Sequence, residues 1–493
     1  MTQQVSMAGM AWSAFLVAGL VTIGAGTSRA DVKVLQVEAD NDISSGLQYA
    51  PINFNTSPAT VNGITYYRRS PVQSQSTQSG HAVTVRDNLV SYSGGYVQSI
   101  YCQEANGYLQ NQLLPPGYNL TTYHSVKPLA NSDGVNIVND SWTGNFSSTD
   151  PSINNMVLRN AEFAINRDDL VMVSGAVNNP WTGTAGGETF MWGVRNGIAV
   201  RGTQNFDPSY SVGGSGSPNL KSHADLWGSV TDSASYTTPQ VAGIAAQIIG
   251  QATDINAKHH QVVKSILMTG ANTVPSDGAF TWTGSLNNNL DPINGAGRAD
   301  QTKSLAILNG NSKTFSVISG SSFSSATVNP GDQGWSYLTA ASSVSLGQSK
   351  GMIIQSLEGF TNLSATLAWD VTPLVADANH LDTTKDVFSN LDLELYQVNK
   401  NGNSYTLGAA LGDAGANKGL VSSTTTDNVE HLFYTGTLGA GYYAFVIHYA
   451  SANNSPGIPD LGFSYNLTSV PEPTLAMGLL FVGGVLCVRR RRA

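Results

Sequence analysis

The stretch INNMVLRNAEFAINRDDLVMVSGAV, residues 153–177, changes period at its middle. In its first part Met156, Val157, Ala161, Ala164 and Ile165 recur at the three-to-four-residue spacing of an amphipathic helix. Its end, LVMVSGAV (170–177), is a near-continuous apolar run, as a strand buried on both faces requires. Upstream, VNIVND (135–140) reads as a strand, and VKVLQV (32–37) is a second near-continuous apolar run. Strand–helix–strand alternation predicts an α/β fold, a parallel sheet with helices on both faces.

Further along, Val241, Ile244, Ala245, Ile248 and Ile249 form one helical stripe after Pro239. A second helix is expected in KHHQVVKSILMTG (258–270), with Val262, Val263, Ile266 and Leu267 inward and Gly270 as terminator. Beyond about residue 312 helical periodicity stops. SATLAWDV (364–371), LDLELYQV (391–398), EHLFYTGTL (430–438) and YYAFVIHYA (442–450) alternate or are rich in aromatics. They predict a separate all-β sandwich domain over 312–468.

Of 493 residues only 12% are charged, while glycine numbers 51, a composition of exported, loop-rich chains. The net charge of −9 argues against nucleic acid as a partner. Residues 1–30 read as a secretory signal peptide: the apolar run AWSAFLVAGLVTIGAG (11–26), then small residues Ser28 and Ala30 before a cleavage point. No Lys or Arg precedes that run. Cleavage there leaves no room for a propeptide ahead of VKVLQV. At the other end, 469–493 holds Pro471-Glu472-Pro473, an apolar segment 474–488 too short for a full span, and Arg489–Arg492. This tail resembles the PEP-CTERM sorting signal of Gram-negative bacteria. The resemblance implies transient membrane anchoring, processing by an exosortase, and a final place at the cell surface or in the extracellular matrix. Removing the tail with Cys487 would leave Cys102 alone, without a disulfide.

SASYTTPQVAG (233–243) is the chemical question. Ser235 lies four residues before Pro239, near a helix N-terminus, where free N–H groups suit either an N-cap or a nucleophile that generates an oxyanion. A serine alcohol also needs a base and an acid that orients it. The stretch resembles the serine motif of the subtilisin-like serine proteases, with Ser235 as nucleophile and Thr238, Pro239, Val241, Ala242 and Gly243 in agreement. Ser233, Ala234 and Thr237 depart from the usual Gly, Thr and Ala. In the family's order, SGHAVTV (79–85) matches the histidine segment and makes His81 the base. The end of VKVLQVEAD puts Glu38 where the family has Asp, with Asp40 as the alternative acid. LVMVSGAVNNP offers Asn178 as the oxyanion amide, although Asn-Asn-Pro is also turn chemistry. HADLWG (223–228), VVKSILMTGA (262–271) and GAGRAD (295–300) match segments outside the site, so the resemblance covers 31–305.

The resemblance implies a subtilisin-like catalytic domain and an exported endopeptidase acting on protein or peptide substrates through a Glu38–His81–Ser235 triad, with Asn178 at the oxyanion. The competing reading is a catalytically inactive surface or matrix scaffold of the same fold, favoured by the changed acid and the loosened serine motif. A sedolisin-type Ser-Glu-Asp peptidase also uses a Glu, but would carry it where His81 stands. No cofactor is expected. The acidic loop DNDISSG (40–46) is compatible with structural calcium without diagnostic ligand spacing. His259 and His260, adjacent and about 100° apart on a helix, are not expected to pair on a metal.

Overall fold

In the computed structural model, β1 (Lys33–Glu38) lies inside an eight-stranded sheet between β4 (Ser99–Glu104) and β6 (Ile137–Asp140), parallel to both. The structure describes residues 29–39, 49–69, 78–119, 121–122, 124–142, 151–176, 191–202, 221, 223–228, 233–273, 282–284, 286–412, 419–452 and 459–469. The sheet order is β2 (Ala59–Val61), β3 (Ile64–Arg68), β4, β1, β6, β7 (Val171–Gly175), β8 (Ile198–Arg201), β9 (Leu226–Trp227), and only the β2–β3 hairpin is antiparallel. A short strand, β5 (His124–Val126), pairs elsewhere.

Both faces of the sheet are covered, which explains the near-continuous apolar strands. Val34, Ile100 and Ile137 pack under α1 (Gly80–Tyr92), α4 (Ala234–Gln251), α5 (His260–Thr269) and α6 (Gln301–Asn309). Leu35, Val37 and Met172 face the opposite layer, built from α2 (Ala105–Gly107), the π-helical turn that follows it, and α3 (Pro151–Asp168). Strand order reverses at β1, and open α/β sheets hold ligands at such a point, beyond the carboxyl ends of the strands. Glu38 is the last residue of β1.

Beside a three-stranded sheet of Thr372–Val375, His380–Val387 and β5, two larger sheets follow. One runs Gln333–Leu338, Leu461–Ser469, Phe360–Trp369, Val429–Tyr434; the other is centred on Ser389–Asn401, Gly441–Ala452 and Ser349–Ser356. Leu367 and Phe463 from the first meet Leu393 and Phe445 from the second in one apolar layer. Separateness is less marked than the change of sequence pattern implies. Asp31–Ala493 is one compact unit, and the apolar cluster of α4–α6 continues into Trp335, Ala368 and Val429 of the β region.

Helix α5 shows why. Its inward stripe is as expected, yet all ten residues are buried, because its polar side meets the four-stranded sheet. A Cβ on Gly462 would come within 2.2 Å of the Gln261 backbone, so only glycine permits this approach. Thr269 Oγ1 donates to Thr366 Oγ1 at 2.8 Å, and Ser464 Oγ donates to Thr269 Oγ1 at 2.7 Å. Charged pairs also cross this boundary: Arg159 with Asp386 at 2.8 Å and His223 with Asp427 at 2.5 Å. The adjacent histidines converge on one carboxylate, which their angular separation on a helix does not foresee. His259 precedes the helix as its N-cap residue. Its Nδ1 is 2.8 Å from Asp169 Oδ2, while His260 bridges Asp169 Oδ1 and Asp370 Oδ1, both at 2.8 Å.

Two outcomes are expected. Burial pushes the His260 imidazole down, but the carboxylates of Asp370 and Asp169 outweigh it and hold the pKa up at about 9. A raised folded value gives stability that is complete below the unfolded value near 6.5 and is lost as pH rises through about 9, on the order of 3 kcal/mol. Denaturant titrations should therefore show wild type losing stability relative to His260→Gln between pH 6.5 and 9.5; parallel curves would disprove the pairing. Second, a Cβ on Gly243 would sit 2.6 Å from Leu89 O and 2.7 Å from Tyr92 Cβ, where α4 crosses α1. Gly→Ala inside an open helix stabilises by about 0.5–1 kcal/mol. Here overpacking should reverse the sign, and Gly243→Ala should lose roughly 1–3 kcal/mol in the same assay.

Candidate active site

Helix α1 begins where Ser79, in extended conformation, caps it by accepting from the Ala82 N–H at 3.4 Å. His81 is thereby held in the first turn, over the end of β1. Its Nδ1 lies 2.8 Å from Glu38 Oε2. The Glu38 side chain is 1% exposed and that of His81 28%. The other carboxylate oxygen, Oε1, accepts from Gln36 Nε2 at 2.9 Å.

The two groups perturb each other. Burial raises the Glu38 carboxyl, opposed by its bonds to His81 and Gln36, and the net direction is up. Burial lowers the His81 imidazole, but the hydrogen bond and charge of Glu38 outweigh it, so its pKa is also raised. A second carboxyl lies close by. Asp140 is the register partner of Val37, accepts from Ser174 Oγ at 3.2 Å, and is pushed up to about 7, chiefly by burial.

Helix α4 begins at Ala234, with Ser233 as N-cap. The capping hydroxyl is thus that of Ser233, and Ser235 is half-buried in the first turn. Ser233 Oγ accepts from the Ser235 N–H at 3.2 Å. Gly202 permits this seat, since a Cβ there would be 2.6 Å from Ala234 N. The Tyr236 ring lies 5.5 Å from the His81 ring, tilted by 36°. The start of α4 and the first turn of α1 therefore face each other across the end of β1. Among the described residues, the Ser235 hydroxyl is not hydrogen-bonded to His81.

Of the residues singled out by the sequence, Glu38 and His81 are bonded and Ser235 belongs to the turn beside them. Asp40, Asn178 and the loop 40–46 lie outside the described residues, as do 1–28 and 470–493. Among the described residues there is no cluster of His, Cys, Asp and Glu that could hold a metal, and no helix long and apolar enough to cross a membrane. Cys102 is free and buried, its thiol pushed far up by desolvation. The supporting segments meet in space: Trp227 N donates to Gly297 O and Ala299 N to Trp227 O, at 2.9 and 2.8 Å, and Gly295 packs on the Asp225 carbonyl. Sequence reasoning missed Gln36, Ser233 as the cap, and Tyr236. For Gln36 the signal was a polar residue at an inward position of a buried strand.

No family model matches the chain, and no curated protein matches it. Among solved structures it is similar to a tripeptidyl peptidase 2, at 10% identity over 68% of this chain and 35% of that one, with a TM-score of 0.23. It is also similar to an exo-beta-1,3-galactanase from Phanerochaete chrysosporium, at 14% identity over 31% of this chain and 30% of that one, with a TM-score of 0.12. The chain thus spans about a third of either neighbour's length. Likenesses at these TM-scores carry no argument about activity.

The cap makes a specific outcome testable. Were Ser235 a nucleophile, the oxyanion formed there would compete with Ser233 Oγ for its N–H. Ser233→Gly removes that competitor, and glycine costs only a few tenths of a kcal/mol at an N-cap. The variant should react severalfold faster with an active-site phosphonate while its thermal midpoint barely moves. An unchanged or slower rate in a folded variant would mean the N–H does not serve an oxyanion.

Proposed function

We propose that this chain is an exported serine endopeptidase that hydrolyses peptide bonds through a Glu38–His81–Ser235 triad. The observation that carries the proposal is the Glu38–His81 hydrogen bond of 2.8 Å, partly buried at the carboxyl end of β1 and facing the first turn of α4. A carboxylate on Nδ1 fixes the tautomer that leaves Nε2 free to accept a proton. In this mechanism His81 Nε2 takes the Ser235 hydroxyl proton as Oγ attacks the peptide carbonyl carbon. Glu38 stays ionised and stabilises the imidazolium. The Ser235 N–H, released from Ser233, and the Asn178 amide hold the developing oxyanion. His81 then gives its proton to the leaving amine. Water repeats the sequence on the acyl-enzyme, returning Ser235 to its hydroxyl form.

The scaffold reading has an observation of its own, the Ser235 N–H held by Ser233 with no hydroxyl bond to His81 among the described residues. Catalytic hydrogen bonds of free enzymes are often long and tighten only with substrate. The paired acid and base therefore weigh more than the missing bond. Export by the 1–30 signal and handling of the 469–493 tail by an exosortase, with transient anchoring and a place on the surface of a Gram-negative cell, belong to the same proposal. They rest on the sequence of the two ends.

Fluorophosphonate labelling of the purified protein tests the reading, with the modified residue mapped by mass spectrometry. Labelling should fall on Ser235, vanish in Ser235→Ala, and slow by on the order of a hundredfold in His81→Ala. Because the base must be neutral and its pKa is raised, the rate should climb with pH through a midpoint above the ordinary histidine value of about 6.5. A folded protein that is not labelled at Ser235 is the scaffold.

A further inference from the structure

We propose that Gln36 is the positioning residue that fits a glutamate to this imidazole, by tying the Glu38 carboxylate to the first turn of α1. The proposal rests on the reading of Glu38, His81 and Ser235 given above. Gln36 and Glu38 are two apart on β1 and so share a face of the strand. Gln36 is fully buried. Its Nε2 donates to Glu38 Oε1 and to Ala82 O, both at 2.9 Å. Both partners are acceptors, so only the NH2 end of the amide can face them. Ala82 follows His81 directly, and one amide thus grips the acid and the backbone that carries the base.

A glutamate has one more torsion than the aspartate it replaces. Bonding Oε2 to His81 and Oε1 to Gln36 fixes the plane of the carboxylate despite that freedom. Gln36 Oε1 has no partner among the described residues, a desolvation cost that an apolar side chain in this strand would avoid. An apolar residue would in turn leave Glu38 Oε1 buried without this donor.

The titratable groups that interact with Glu38 are His81 on α1, Cys102 on β4 and Asp140 on β6; beyond them, Arg86 of α1 acts on Cys102 and the Tyr236 ring of α4 lies against that of His81. Burial drives the Glu38 carboxyl up, and His81 and Gln36 hold it down. Without the Gln36 donor one of the bonds that hold the carboxyl down is gone, so a proton taken up as pH falls goes to Glu38 more readily, at the expense of His81. The protonated acid then donates to Nδ1, the imidazole carries its hydrogen on Nε2, and Ser235 has no base. Loss of reactivity and formation of imidazolium, which coincide in wild type, should therefore separate in pH.

The experiment uses the full chain carrying Gln36→Met, which keeps length and removes the donor. Fluorophosphonate rates against pH are set beside the His81 titration from 15N-histidine NMR. The acid limb of the rate should move up by about one pH unit, as the loss of a charge-assisted hydrogen bond implies, while the imidazolium forms at lower pH than in wild type. In a Glu38→Asp background, Gln36→Met should cost nothing further. Should Gln36→Met not fold, Gln36→Asn, with its amide one methylene short of both acceptors, should give the same separation. A folded variant whose rate profile and His81 titration match wild type overturns the proposal. If wild type itself is not labelled, the triad reading fails, and the NMR titration alone still decides whether Gln36 holds Glu38.

Discussion

A carboxyl group with 1% of its side chain exposed, at the end of an interior strand, is the constraint on which the candidate site depends. Taking a carboxylate out of water costs several kcal/mol unless partners are positioned to receive it. Glu38 has two bonded side chains, Gln36 in its own strand and His81 from α1. The first is guaranteed by the pleat of β1. The second exists only if α1 starts at Gly80 and lies at the right height above the sheet. Ser79 sets that start, and the close approach of α1 to α4 at Gly243 sets the height.

The same contacts bring the positive end of α4 toward the imidazole. Ser233, Ala234 and Ser235 turn into the helix over Gly202, and Gly228 lies against Thr237. Helix N–H groups there are suited to negative charge. In the described structure one of them is occupied by the Ser233 hydroxyl. Behind α4, helix α5 is held between the α/β sheet and the four-stranded sheet, with His260 clamped by two aspartates. The β region thereby packs against the helical layer that carries Ser235.

The α/β architecture was legible wherever one face or both faces of an element decide its period. The runs at 32–37 and 170–177 gave strands, and the stripe from Val241 to Ile249 gave a helix. Helix α5 was legible only by half. Its periodicity marks the side facing α4 and the sheet, whereas Gln261 and Thr269 are covered by Asp370, Thr366 and Ser464, which arrive about one to two hundred residues later, and Lys264 reaches back to Arg195 O and Asp225. Glu38 and His81 could be named from their order in the chain. Their hydrogen bond could not, since it depends on a cap and a helix crossing. Gln36 was hidden inside a largely apolar run, where its polar side chain had no visible purpose. Ser233 and Ser235 are both hydroxyls near one helix start, and only the fold separates the cap from its neighbour.

The central claim is that Glu38, His81 and Ser235 act as a unit, and a mutant cycle tests it most directly. Second-order rate constants for phosphonate capture of Ser235 would be measured for Glu38→Gln, His81→Ala and the double variant. If Glu38 works only through the imidazole, the double variant should be no slower than His81→Ala alone, because the acid has nothing left to orient. Losses that multiply, or a Glu38→Gln variant as fast as wild type, would contradict the account and leave the buried pair as a structural tie between β1 and α1.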